Sequence, residues 1–124
     1  MKTVDIKGII PAIVTPMNSD ETINEQELRN QVNRQIEAGA HGIFPFGTNG
    51  EAYILSEDEK VRILEIVVEE TKGRVPVYAG TGCISTKDTI RLSKKAKEIG
   101  ADILSIITPS FAAASQEELY QHFK

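Results

Sequence analysis

Short apolar runs alternate with amphipathic stretches along this chain. Four runs, 9–14, 42–46, 75–79 and 103–107, carry no charged residue. Uninterrupted apolar runs of this length predict fully buried parallel strands. Three helical patterns lie between them. Leu28, Val32 and Ile36 recur at every fourth position; Val61, Leu64, Val67 and Val68 form a second stripe, and Thr89, Leu92, Ala96 and Ile99 a third. Apolar residues at this spacing share one face of a helix.

Polar punctuation supports the same division. Asn24 with Glu27, Ser56 with Glu59 and Ser115 with Glu118 have capping-box spacing at helix starts. Gly39, Gly73 and Gly100 stand just past the ends of the three patterns, where a left-handed residue is wanted. Pro76 opens the third run, where its missing N–H costs little. The predicted order is β-α-β-α-β-α-β, with a fourth helix opening at Ser115. Such βα units imply one domain over 1–124 with a parallel sheet.

Two architectures suit that order. One is a doubly wound open sheet, complete at about this size. The other is a (β/α)8 barrel, which typically needs about 250 residues. The pattern alone favours the open sheet, because a complete domain is the simpler assumption. Against it, Thr15-Pro16 follows the first run where a phosphate-binding fold places a glycine-rich turn. Neither G-x-G-x-x-G nor a Walker loop occurs anywhere in the chain.

Composition narrows the chemistry. A formal charge of -4 discourages nucleic acid and anionic membranes as partners. The cluster Lys94, Lys95 and Lys97 reads as a solvated helix face. Cys83 is the only cysteine, so neither an internal disulfide nor a thiolate metal cage can form; a reducing cytoplasm suits it. As a nucleophile Cys83 would need a base. His41 sits at the far end of its strand and His122 on the last helix, so a Cys–His pair is disfavoured. The charged start, Met1 to Lys7, does not resemble a signal peptide, and no stretch reaches membrane-spanning length.

The strongest chemical signal is Gly47-Thr48-Asn49-Gly50-Glu51, directly after the second run. A glycine-flanked turn at the carboxyl end of a parallel strand offers backbone N–H groups and short donors where ligands bind in such folds. A carboxylate fits that set of donors. Taken alone, the pentapeptide is more often a plain turn leading into the helix capped at Ser56.

With these residues in view, the chain resembles the dihydrodipicolinate synthase / N-acetylneuraminate lyase family. The landmarks are Ala12-Ile13-Val14-Thr15-Pro16, Gly47 to Glu51, Val75 to Gly82, Ile107-Thr108-Pro109 and Gln116 to Phe123. The resemblance implies a (β/α)8 TIM barrel of which this chain supplies about four βα units, a half-barrel. It also implies class I aldolase chemistry without metal or cofactor, in which a lysine forms a Schiff base with pyruvate or another 2-oxo acid. Gly47, Thr48 and Asn49 match the residues that hold the substrate carboxylate, and Thr48 the hydroxyl that relays protons. Ser110 and Phe111 match a subunit interface of a homo-oligomer.

Two departures bear on the reaction. The family usually has Thr where Asn49 stands, although an amide still donates. The synthases place two tyrosines at Ser110 and Phe111, and a phenyl ring cannot carry a proton. A lyase or aldolase acting on a sugar-derived 2-oxo acid therefore stands beside the synthase. The family's Schiff-base lysine lies on the sixth strand and a second relay tyrosine on the fifth, outside the four strands read here. The nine lysines all fall on helices, loops or termini. Such a half-barrel is expected to have an open inner face and unpaired edges, and so to self-associate or pair with a complementing half.

Overall fold

The computed structural model describes residues 4–124; Met1, Lys2 and Thr3, part of the charged start, lie outside the described residues. Its regular elements are α1 (Glu25–Glu37), α2 (Glu57–Thr71), β1 (Tyr78–Gly80), α3 (Thr86–Ile99), β2 (Ile103–Ser105) and α4 (Gln116–Phe123). The first two apolar runs are extended segments joined by one parallel bridge, Ala12 to Phe44, and a second, Ile43 to Val77, joins the second run to the third. β1 and β2 pair in parallel, with Tyr78 opposite Ile103 and Gly80 opposite Ser105.

Spatial order therefore follows chain order. Ile13, Ile43, Val77 and Ala79 meet Leu28 and Val32 of α1, Ile63, Leu64 and Val67 of α2, and Ala96 of α3 in a single core. Helices α1 to α3 thus cover one face of the sheet. A doubly wound sheet reverses its strand order and carries helices on both faces. This chain does neither, and its fold is a partial (β/α)8 barrel.

The buried-strand expectation needs correcting at both edges. Ile43 and Val77, in the middle of the sheet, are buried, but Ile9 is 73% exposed and Ile107 64%. A strand is buried on both faces only where something covers both, and the inner face here is open. Regular pairing is also shorter than the apolar runs. The second stripe is wider than its sequence spacing: Ile63 and Ile66 are fully buried while Val61 is only half-buried. α2 packs against α1 on one side and α3 on the other, so a broader arc of its surface loses water.

Capping shows how local sequence starts each helix. Ser56 and Ser115 form complete capping boxes with Glu59 and Glu118. Asn24 accepts the Glu27 N–H, but its own N–H donates to the Pro16 carbonyl. Glu27 is left to bond Asn30 and Arg34 instead. α3 begins at Ser85, which accepts from the Asp88 N–H. Gly39, Gly73 and Gly100 all have positive φ, although at the end of α2 Lys72 is already left-handed.

Ion pairs tie the helices together outside the core. Arg62 bonds Glu25 through two nitrogens at 2.7 Å, joining α2 to α1. Glu57 of α2 accepts from Arg91 Nε at 3.0 Å and from Lys95 Nζ at 2.7 Å, both on α3. The Arg91 guanidinium and then the Lys95 ammonium hold the Glu57 carboxyl down at about 2, from an ordinary value of 4.5. Because the folded value is the lower one, the stabilisation is present in full above pH 4.5 and is lost as pH falls toward 2. Glu57→Gln should therefore flatten the acid-side decline of stability in that window, read by urea unfolding at stepped pH. An unchanged slope would show that the pair adds nothing.

Candidate functional site

The loops that follow segment 42–46, β1 and β2 gather at one end of the sheet, around two adjoining clefts. The larger, about 550 Å³, is lined by Thr48, Tyr53, Glu57, Lys60, Gly82, Cys83, Asp88, Arg91, Thr108 and Ser110, among others. The smaller, about 310 Å³, is lined by Phe44, Phe46, Gly47, Thr48, Gly80, Ser105 and Ile107, among others. Thr48 borders both. The glycines on the floor let the loops approach closely: a Cβ on Gly82 would lie 2.8 Å from the Ile107 nitrogen.

The turn that carries Thr48 starts from a strained residue. Phe46 is buried and has φ of 39°, and Glu51 at the other end has φ of 58°. Between them the chain coils on itself. The Gly50 N–H donates to the Gly47 carbonyl at 3.1 Å, Glu51 N–H to the Thr48 carbonyl at 3.0 Å, and Ala52 N–H to the Gly47 carbonyl at 3.3 Å. From the first segment, the buried Thr15 hydroxyl donates to the Gly50 carbonyl at 2.7 Å.

What the turn leaves free matters most for binding. Among the described residues, no hydrogen bond engages the N–H groups of Gly47, Thr48 or Asn49, and both the Thr48 and Asn49 side chains are exposed. Three successive donors are available for an anion at the carboxyl end of a parallel strand. Gly47 and Thr48 line the clefts, whereas Asn49 lines neither.

The other sequence-derived residues spread around this end. Ser110 lines the larger cleft; Phe111 is 99% exposed, at φ of 82°. Cys83 also lines that cleft, and burial raises its thiol above the ordinary value, which disfavours the thiolate. Among the described residues no histidine bonds it. His41 accepts from the Ile9 N–H, and His122 bonds Thr86. Among the described residues no group of three or more His, Cys, Asp or Glu could hold a metal ion.

Glu57, Lys60, Asp88 and Arg91 also line the cleft, with no sequence motif to mark them. Each lies on a helix whose charged positions read as solvent-facing, and only the packing of α2 beside α3 brings them to its wall. Glu57 and Asp88 are committed to Arg91, Asp88 at 2.7 Å. The Ser85 hydroxyl, foremost, lowers the Asp88 carboxyl below its usual value.

In sequence and fold the chain is similar to known proteins. Residues 5–124 match the model of the dihydrodipicolinate synthetase family. A 4-hydroxy-tetrahydrodipicolinate synthase of Pelobacter propionicus is 50% identical over 118 residues, covering 95% of this chain and 40% of that protein. The chain spans about 40% of the length of the curated relatives it matches. A dihydrodipicolinate synthase structure from Bacillus anthracis superposes with a TM-score of 0.94 at 39% identity, covering 98% of this chain and 41% of that one. The Acinetobacter baumannii synthase in complex with pyruvate gives 0.93 at 40% identity, covering 96% and 41%.

Proposed function

The chain belongs to the dihydrodipicolinate synthetase family, and on that premise we propose that it supplies the carboxylate-binding part of a Schiff-base lyase or aldolase acting on pyruvate or a related 2-oxo acid. One observation carries this: three unengaged N–H groups, Gly47 to Asn49, stand at a strand's carboxyl end beside a cleft that Thr48 borders. A carboxylate accepting bonds from fixed donors loses little freedom beyond its own on binding. The Thr48 hydroxyl, next to the bound acid, is the group that passes a proton to or from the reacting carbon. Asn49 contributes its N–H, and its amide is a further donor.

The nucleophile is not among these residues. Lys60 reaches the larger cleft from α2, but every lysine of the described residues lies on a helix, at a helix end or in coil, and none in an extended segment, where the family resemblance puts the Schiff-base lysine. Carbon–carbon bond making or breaking through an enamine therefore needs a lysine that completes the site from the remainder of a barrel. A second reading, a non-catalytic half-barrel that pairs with itself or with a complementing half, is supported by the exposed apolar residues Ile9, Val14, Ile107 and Phe111. In either case Ser110 and Phe111 serve a subunit interface of a homo-oligomer. A cytoplasmic location fits the lone thiol of Cys83. No helix among the described residues is long and apolar enough to cross a membrane.

Pyruvate with borohydride, followed by intact mass, tests the assignment. Residues 1–124 are expected to stay unmodified, while pyruvate raises the thermal midpoint. At a hundredfold excess over its dissociation constant a ligand stabilises by about 2.7 kcal/mol. A reduced adduct on this chain would overturn the placement of the nucleophile elsewhere. An unmoved midpoint would favour the half-barrel without a working cradle.

A further inference from the structure

We propose that Thr15 is a positioning residue for the carboxylate cradle, an inference that rests on the function proposed above. Its hydroxyl makes the sole side-chain hydrogen bond that reaches the turn 46–51 among the described residues, donating to the Gly50 carbonyl at 2.7 Å across 35 positions of sequence. Thr15 is only 8% exposed, so water does not compete for that bond.

The consequence runs through peptide planes. The Gly50 carbonyl and the Glu51 N–H belong to one planar amide, so holding the oxygen also aims the N–H. That N–H donates to the Thr48 carbonyl at 3.0 Å. The Thr48 carbonyl in turn shares its plane with the Asn49 N–H, one of the unengaged donors. A relay of two rigid amides thus connects the buried Thr15 hydroxyl to the Asn49 N–H, one of the three unengaged donors of the proposed cradle. Aligned hydrogen bonds of this kind polarise one another. The turn needs the restraint, since Phe46 and Glu51 hold φ values of 39° and 58° that L side chains rarely adopt.

Pyruvate titration of the intact polypeptide, followed by the amide signals of Gly47, Thr48 and Asn49, tests the relay. Thr15→Val keeps the shape and removes the hydroxyl. It is expected to shift the Glu51 and Asn49 amides and weaken pyruvate binding about tenfold, while Thr15→Ser stays within about twofold of wild type. If Thr15→Val does not fold, the wild-type Thr15 hydroxyl proton serves instead: it should exchange slowly and shift when pyruvate saturates the site. Wild-type affinity in Thr15→Val, even with a lowered thermal midpoint, or a hydroxyl signal indifferent to pyruvate, overturns the proposal alone. Wild-type amides that ignore pyruvate overturn the carboxylate assignment and the proposal with it.

Discussion

Phe46→Ala is expected to destabilise the fold by about 3–5 kcal/mol, the range for truncating a buried aromatic side chain. The Phe46 ring is 1% exposed and belongs to the same core as Ile13, Ile43, Leu55 and the α2 residues Ile63 and Leu64. Removing it leaves a cavity at the point where sheet, helices and turn meet. Alanine at φ of 39° is strained as phenylalanine is, so no backbone relief offsets the loss. Urea unfolding reads the change. The stabilisation by pyruvate should fall in parallel, because the turn begins at this residue. A loss below about 1 kcal/mol would mean that the ring is not a supporting part of the core.

Gly50→Ala is the second large effect, and it acts through crowding. A Cβ at Gly50 would lie 2.9 Å from both the Cα and the nitrogen of Phe46 and 3.0 Å from the Ile13 carbonyl oxygen. All three are backbone atoms, so no side-chain rotation relieves the contact. The turn must move away from the first two segments, which breaks the Thr15 bond to the Gly50 carbonyl. A loss of about 1–3 kcal/mol is expected, as for overpacking elsewhere, together with loss of the thermal response to pyruvate. Wild-type stability and an intact response in Gly50→Ala would show that the turn does not press against the Phe46 backbone.

Much of the helical architecture was readable from residues alone. Ser56 and Ser115 announce their helices because a hydroxyl accepting from the N–H three residues on is a local bond, requiring nothing distant. Leu28, Val32, Leu92 and Ala96 were placed on buried faces because helical periodicity is also local. Expectation failed where neighbours decide. Asn24 lost its capping box to the Pro16 carbonyl, eight positions away in sequence. Ile63 and Ile66 were left off the buried stripe because a helix with helices on both sides buries more than one stripe.

At the site, Gly47, Thr48 and Asn49 stood out through their glycine-flanked setting after an apolar run. The role of Thr15 in supporting them did not. A threonine before a proline carries no mark of a partner 35 positions onward. Glu57, Asp88 and Arg91 were equally silent, since charged helix residues look alike whether they face solvent or a cleft.

The chain's own residues determined the succession of strands and helices, the helix starts and the polar turn, because each depends on interactions within a few residues. Tertiary structure alone decided that the strands lie in chain order with helices on one face, that both outer strands remain partly exposed, and that a buried hydroxyl bonds the turn. Those outcomes depend on which distant surfaces exclude water from one another and on hydrogen bonds formed only after they meet.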